Sequence, residues 1–215
     1  MRTSSRRFAV LLFEEVELWD VASVMHVASA AGRHWNWRPF RLLPVAIGAG
    51  LVGTRSQLRL EATIALRECP PPEILLVPGG FGARLAARDP AYVEFCASAW
   101  QSAELVLVIG AGAFMLGAAG VLDGAEVAAA PDTQEELSRT FPGCRFNGVE
   151  PLVSACGGKL LSARDGGQGV ELGLRMVERF LGRRSRTQLE RSLGVVAAPE
   201  RLELSEPGKI TIPPR

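Results

Sequence analysis

The segment Leu105-Val106-Leu107-Val108-Ile109-Gly110-Ala111-Gly112-Ala113-Phe114-Met115-Leu116 constrains this chain more than any other. Five consecutive aliphatic residues suit a strand covered on both faces, the mark of a parallel sheet between helix layers. The run passes without any polar residue into small residues that open a helix. In α/β enzymes such a corner holds a nucleophile at the carboxyl edge of the sheet. Here it carries glycine and alanine, which have no side chain able to attack.

The rest of the chain repeats the alternation. Phe8 to Phe13 is a second continuous aliphatic strand, and the spacing of Val21, Val24, Met25 and Ala28 predicts a helix over 19–31 that stops at Gly32. A strand is expected over 40–47, a hairpin around Gly53, and a buried strand at Ile74-Leu75-Leu76-Val77 ended by Pro78-Gly79-Gly80. Asp89-Pro90 supplies an N-cap and first-turn proline for a helix bearing Val93, Cys96 and Trp100. A weak strand is expected near Val127, and Thr133 with Glu136 reads as a capping box for a helix reaching Phe141. Two segments around Leu152 and Leu160 suggest a hairpin, followed by a broadly apolar helix over 167–181 and a last helix over 188–193. Alternating βα units of this kind imply a doubly wound α/β sandwich with a mostly parallel central sheet. One domain is expected over 1–195 and a poorly packed tail over 196–215.

Composition narrows the function classes. With 24 basic and 23 acidic residues the chain has no electrostatic signature of a general nucleic-acid binder. Its apolar stretches are too short for a bilayer, and the basic start leads into a strand instead of a signal peptide, so a cytoplasmic location and no membrane partner are expected. Cys69, Cys96, Cys144 and Cys156 form no CxxC pair, and only His26 and His34 could complete a metal site; no metal and no cofactor are expected. Cys96 reads as a small buried hydrophobe, and Cys144 and Cys156 lie near turns. No phosphate-cradling glycine loop follows a strand. Trp35 and Trp37 with Arg33, Arg38 and Arg41 suit either a binding rim or a buried partner surface, and the basic run 183–186 reads as a solvated helix end.

Several of these pieces, in this order, resemble the ThiJ/PfpI superfamily, the class I glutamine amidotransferase-like fold, up to about residue 195. They are Val10-Leu11-Leu12-Phe13 with Glu17-Leu18-Trp19-Asp20, then Ile74 to Gly80, Gly112-Ala113-Phe114, Ala118 to Gly124, and Ser162-Ala163 before the long helix. The resemblance is strongest to the branch holding isonitrile hydratase and the ligand domains of AraC-type regulators. It implies a flavodoxin-like sandwich, a homodimer, an elbow cysteine, a carboxylate from the first βα loop and often a histidine after the next strand. In this sequence the cysteine position falls on Gly110 and the histidine position near Ala130, while the carboxylate remains as Asp20. The polar loop Arg164-Asp165-Gly166-Gly167-Gln168 departs from the family pattern.

The expected site therefore consists of Asp20, Gly79, Gly80, Gly110 and Ala111, with amides of Gly80 and Ala111 facing a common spot. Losing a catalytic nucleophile has cost about a millionfold in a serine protease, whereas one oxyanion donor contributes ~3–4 kcal/mol. Covalent chemistry of the family type is thus not expected. The leading expectation is a non-catalytic domain that binds or senses a small carbonyl- or carboxylate-containing ligand, with no catalytic residue. An isonitrile-hydratase-like enzyme using Asp20 and a bound water, and a structural dimer partner without ligand, are the alternatives. Asp20 fits a family site role and a helix-capping role equally, and Asp132 fits a cap or a second carboxylate converging on Asp20. A regulatory role follows from the AraC-type resemblance alone. Residues 196–215 are too few for a helix-turn-helix pair, so no direct nucleic-acid contact of that kind is expected.

Overall fold

The computed structural model describes residues 5–33 and 37–195. The expected tail, and His34 and Trp35 of the aromatic loop, lie outside the described residues. Seven strands form the central sheet: β1 (Arg6–Leu11), β2 (Phe40–Ala46), β5 (Ile64–Ala65), β6 (Ile74–Val77), β7 (Leu105–Ile109), β10 (Leu152–Ala155) and β11 (Leu160–Ala163). Their spatial order is β10-β11-β7-β6-β1-β2-β5, parallel throughout except for the outer strand β10. Two further pairs stand apart, the antiparallel hairpin β3 (Gly50–Gly53) with β4 (Arg59–Ala62) and the parallel pair β8 (Glu126–Ala128) with β9 (Arg145–Asn147). The mixed α/β, mostly parallel architecture is the one the alternation implied.

The order has a direct consequence for function. From β1 the chain passes through α1 (Leu18–Ala30) to β2 on one side. From β6 it passes through α3 (Pro90–Ser102) to β7 on the other. Right-handed crossovers in opposite directions put α1 and α3 on opposite faces and leave a crevice outside the carboxyl ends of β1 and β6. The first turn of α1, the loop after β6 and the corner after β7 all reach that crevice.

Strand burial explains the composition of the core. Every residue of β6 and β7 is buried, as expected for strands between two helix layers. Over them lie α3, whose Asp89 side chain accepts from the Ala91 N–H at 2.9 Å with Pro90 in the first turn, and α4 (Ala113–Ala118). On the other face α1 meets α6 (Gly169–Leu181), which buries Leu172, Leu174, Met176 and Val177. Close approach there depends on glycine: a Cβ on Gly173 would lie 2.9–3.2 Å from the Cβ and both Cγ atoms of Val27.

Two local expectations require correction, and two elements were not foreseen. Residues 131–140 form helix α5 (Pro131–Thr140) capped by Ala130, so Thr133 is already inside the helix. Its hydroxyl donates to Asp132, and Glu136 pairs instead with Arg84 at 2.6 Å. The basic run opens α7 (Arg183–Leu193) instead of ending a helix. There Arg186 donates to Glu171 at 2.8 Å, Glu190 at 2.8 Å and Glu178 at 3.2 Å, tying α7 to α6. Strand β9 and the short helix α2 (Ala83–Ala86) carry too little periodicity to be read from sequence.

Gly173→Ala should lower stability by about 1–3 kcal/mol through overpacking against Val27. Gly48→Ala, where an added Cβ meets nothing within 4 Å, should change it by less than about 0.5 kcal/mol. Urea denaturation of both variants checks this, and equal losses would contradict the close helix contact.

Candidate functional site

Glu17, not Asp20, caps α1, its carboxylate facing the Trp19 N–H at 3.5 Å. Asp20, one turn in, is therefore free of the helix end and points inward, with only 4% of its surface exposed. Its Oδ2 accepts from the Gly79 N–H at 2.8 Å, linking the first helix to the loop after β6. Of the two readings open in the sequence, capping is the one the geometry removes.

Gly79 is the junction of the site. A Cβ placed on it would lie 2.9 Å from Asp20 Oδ2, 2.9 Å from the Ile109 carbonyl and 3.3 Å from the Ala111 nitrogen. Gly79 thus lies between Asp20 and the 109–111 corner, close to both. Gly80 packs against the first βα connection. Its φ of +125° favours glycine, it bridges Val16, and a Cβ on it would meet the Glu15 carbonyl at 2.5 Å. Gly79, whose N–H is taken by Asp20, is the residue next to Ala111, and Gly80 fastens the loop to the first βα connection through its bridge to Val16.

Gly110 follows β7 with φ +48°, the left-handed turn of a strand-to-helix corner. It is half-buried, and a Cβ on it would find only the Arg164 carbonyl, 3.3 Å away. The corner thus has the shape of an elbow and space over it, without a reactive atom. Cys156 does not substitute. It is exposed in the turn before β11, where Leu160 pairs with Val106, so it lies at the amino edge of the sheet. Four residues of strand, about 13 Å, separate Val106 from Gly110. Cys96 is fully buried and Cys144 nearly so, and burial pushes their thiols up to about 12 and about 11. Ala130, at the histidine position, caps α5, and His26 is exposed on α1.

The residues that sequence reasoning missed belong to the polar loop. The Asp165 side chain accepts from the Gly167 N–H at 2.9 Å, while Gln168 reaches back to the Asp165 N–H at 3.2 Å, closing a capping box at the start of α6. That box presses Gly166 against the site, where a Cβ would lie 2.4 Å from Asp20 Oδ1. Burial pushes the Asp20 carboxyl up to about 7; the Gly79 hydrogen bond opposes this, and the negative charges of Glu17 and Asp165 reinforce it. The carboxylates near Asp20 are therefore Glu17 and Asp165, whereas Asp132 is exposed in the first turn of α5. Ser23, one turn after Asp20, is buried with an unpartnered hydroxyl against Gly169. Its spacing of three from Asp20 was the available signal. Among the described residues no cluster of His, Cys, Asp and Glu is suited to a metal ion.

The profile of the DJ-1/PfpI family matches residues 6–179, from β1 almost to the end of α6. The chain belongs to the DJ-1/PfpI family. It is 30% identical over 117 residues to isonitrile hydratase of Pseudomonas putida, a match covering 53% of this chain and 47% of that protein. The chain thus spans about half the length of that curated relative. Three solved structures share the fold. A THiJ/PfpI family protein from Pseudomonas syringae superposes with a TM-score of 0.81 at 19% identity, covering 94% of this chain and 80% of that one. An AraC family transcriptional regulator from Pseudomonas putida gives 0.74 at 23% identity, with 87% and 99% covered. Drosophila melanogaster DJ-1beta gives 0.78 at 18% identity, with 90% and 100% covered. Among the described residues of this family member, no helix is long and apolar enough to cross a membrane.

The raised carboxyl of Asp20 makes a pH prediction. A buried acid that holds its proton up to about pH 7, against 3.8 for the model acid, contributes its full stability below about pH 4. That contribution falls as pH rises toward 7 and is constant above. Asp20→Asn keeps an acceptor for the Gly79 N–H and abolishes the titration. Between pH 4 and 8 wild type should lose about 4 kcal/mol relative to this variant, read by urea denaturation. Parallel pH profiles would show that Asp20 is ionised as in water.

Proposed function

We propose that this chain is a ligand-binding member of its family that works without a thiol nucleophile, holding a small carbonyl compound over Gly110. One observation carries the reading: a buried carboxyl poised near neutrality stands beside an elbow whose residue has no side chain. Below its pKa Asp20 is a hydrogen-bond donor in a water-poor position, suited to a carbonyl oxygen. The Ala111 amide is the neighbouring second donor. Of the two ligand classes expected, the neutral carbonyl is the better match. A carboxylate would meet the charges of Glu17 and Asp165 and would have to displace the proton of Asp20.

Two extensions belong to the same proposal. Trp19, Phe81 and Leu85 are large, apolar and more than half exposed on the α1, β6 and α2 connections, which supports a homodimer covering this end. A sensing role in regulation draws support from the fold likeness to an AraC family regulator.

A second reading is favoured by the isonitrile hydratase relative and by the carboxyl near pH 7, the range suited to a general base. In it Asp20 would draw a proton from water attacking an isonitrile or carbonyl carbon.

Calorimetry and product analysis with methylglyoxal, acetamide, pyruvate and cyclohexyl isocyanide separate the two. The binding reading expects saturable binding of a neutral compound without product, weakened about tenfold or more in Asp20→Asn, corresponding to at least ~1.4 kcal/mol. Product formation lost in that variant would replace it with the enzymatic reading. The space over the elbow has its own check. A thiol introduced by Gly110→Cys should be alkylated by monobromobimane readily in folded protein, and protection of that thiol until unfolding would mean the space is closed.

A further inference from the structure

The amino-terminal edge of the sheet, at the far end of α1 from Asp20, holds a groove that the reading above does not use. Its volume is about 710 Å³, and its walls include Ser29, Arg33, Trp37, Arg38 and Arg41 over a floor at Phe40. Asp20 and Arg33 are 13 residues apart along a helix and its end, so the two places are separated by roughly 20 Å.

The groove is built from anchored parts. The Trp37 N–H donates to the Gly32 carbonyl at 3.2 Å, folding the chain back at the end of α1. Ser5 donates its hydroxyl to the Arg38 carbonyl, and the Arg6 N–H donates to Pro39 at 2.9 Å, fixing the entry to β2. Phe40 packs edge-on against Phe8 and Phe180 in the core. The backbone bearing the three arginines is therefore set by the fold, with Arg41 in register with Arg7 on β1.

Charge gives the groove its chemistry. Among the described residues no acidic side chain lines it. Among the described residues no carboxylate oxygen lies within 4.0 Å of the guanidinium nitrogens of Arg33, Arg38 or Arg41, whereas Arg6, Arg7, Arg84 and Arg186 are all paired. Three uncompensated guanidiniums around one hollow favour a multiply charged anion. Their planar forks match phosphate oxygens in pairs. The half-buried Trp37 adds a flat apolar face on which a ring stacks.

We propose that this groove binds a small molecule joining a flat ring to a phosphate group, the phosphate held by Arg33, Arg38 and Arg41 and the ring by Trp37. Recognition uses side chains, so the absence of a phosphate-cradling glycine loop from the sequence does not oppose it. The class includes simple aryl phosphates and nucleotides, which share this chemistry.

Titration calorimetry of the full chain with phenyl phosphate tests the proposal, with inorganic phosphate and phenol as its separate halves. The expected result is saturable binding with Kd below about 1 mM, at least about tenfold tighter than either half. Arg41→Glu should weaken it by about tenfold or more, and Trp37→Leu should bring phenyl phosphate down to the level of inorganic phosphate. Both variants should keep the wild-type melting transition, since Arg41 is exposed and Trp37 half-buried. Adenosine monophosphate binding more tightly than phenyl phosphate would identify nucleotides as the source, and the reverse would identify simple aryl phosphates; either upholds the site. No saturation up to about 10 mM, or affinity unchanged within about twofold in Arg41→Glu, would overturn it.

Discussion

The hydrogen bond from the Gly79 N–H to Asp20 Oδ2, 2.8 Å long and buried, sets the geometry of the whole carboxyl edge. It joins the two sides of the crevice at the point where strand order reverses, tying the helix after β1 to the loop after β6. The carboxyl that makes this bond is surrounded by apolar strand ends and by the negative charges of Glu17 and Asp165. Its proton affinity therefore rises even though the bond itself favours the ionised form. Burial outweighs the single amide because one donor cannot replace the hydration of a carboxylate.

Against that anchored acid, the corner at Gly110 acquires its meaning. A strand that ends in a left-handed turn and continues at once into helix is conformationally demanding, and glycine meets that demand without a side chain. The backbone scaffold for displaying a reactive group at the elbow is retained, yet nothing is displayed. In the reading proposed above, an acid beside an elbow without a side chain separates two properties that an elbow usually couples: the capacity to orient a polar ligand and the capacity to bond to it covalently. In that reading the first needs only Asp20 and neighbouring amides.

Much of this was legible in the sequence because it is written in short-range pattern. The aliphatic runs at 8–13, 74–77 and 105–109 announce buried parallel strands, and Asp89-Pro90 announces the start of α3. Asp20, Gly79, Gly110 and Ala111 could be gathered because all four lie at strand ends that a doubly wound sheet brings to one edge. The contribution of 164–168 was not legible. Its effect comes from Gly166 pressing on Asp20 Oδ1 across more than 140 residues of chain, a contact no local spacing encodes. The division of roles between Gly79 and Gly80 was out of reach for a similar reason: a Pro-Gly-Gly turn specifies a bend but not which of its two glycines donates to Asp20. The basic run 183–186 misled because its partners, Glu171 and Glu178, are on the preceding helix, so the charges that decide its role lie outside its own segment.

The two ends of α1 show how one helix can serve opposite electrostatic purposes. At its first turn the surrounding side chains are acidic, and the central one avoids charge by keeping its proton. Beyond its last turn they are basic, and Arg33, Arg38 and Arg41 remain charged because guanidinium does not release its proton in the physiological range. Under the two proposals, an anionic molecule is disfavoured at the carboxyl edge and favoured at the amino edge. If both proposals hold, selectivity between the two places follows from the sign of the charge around each one.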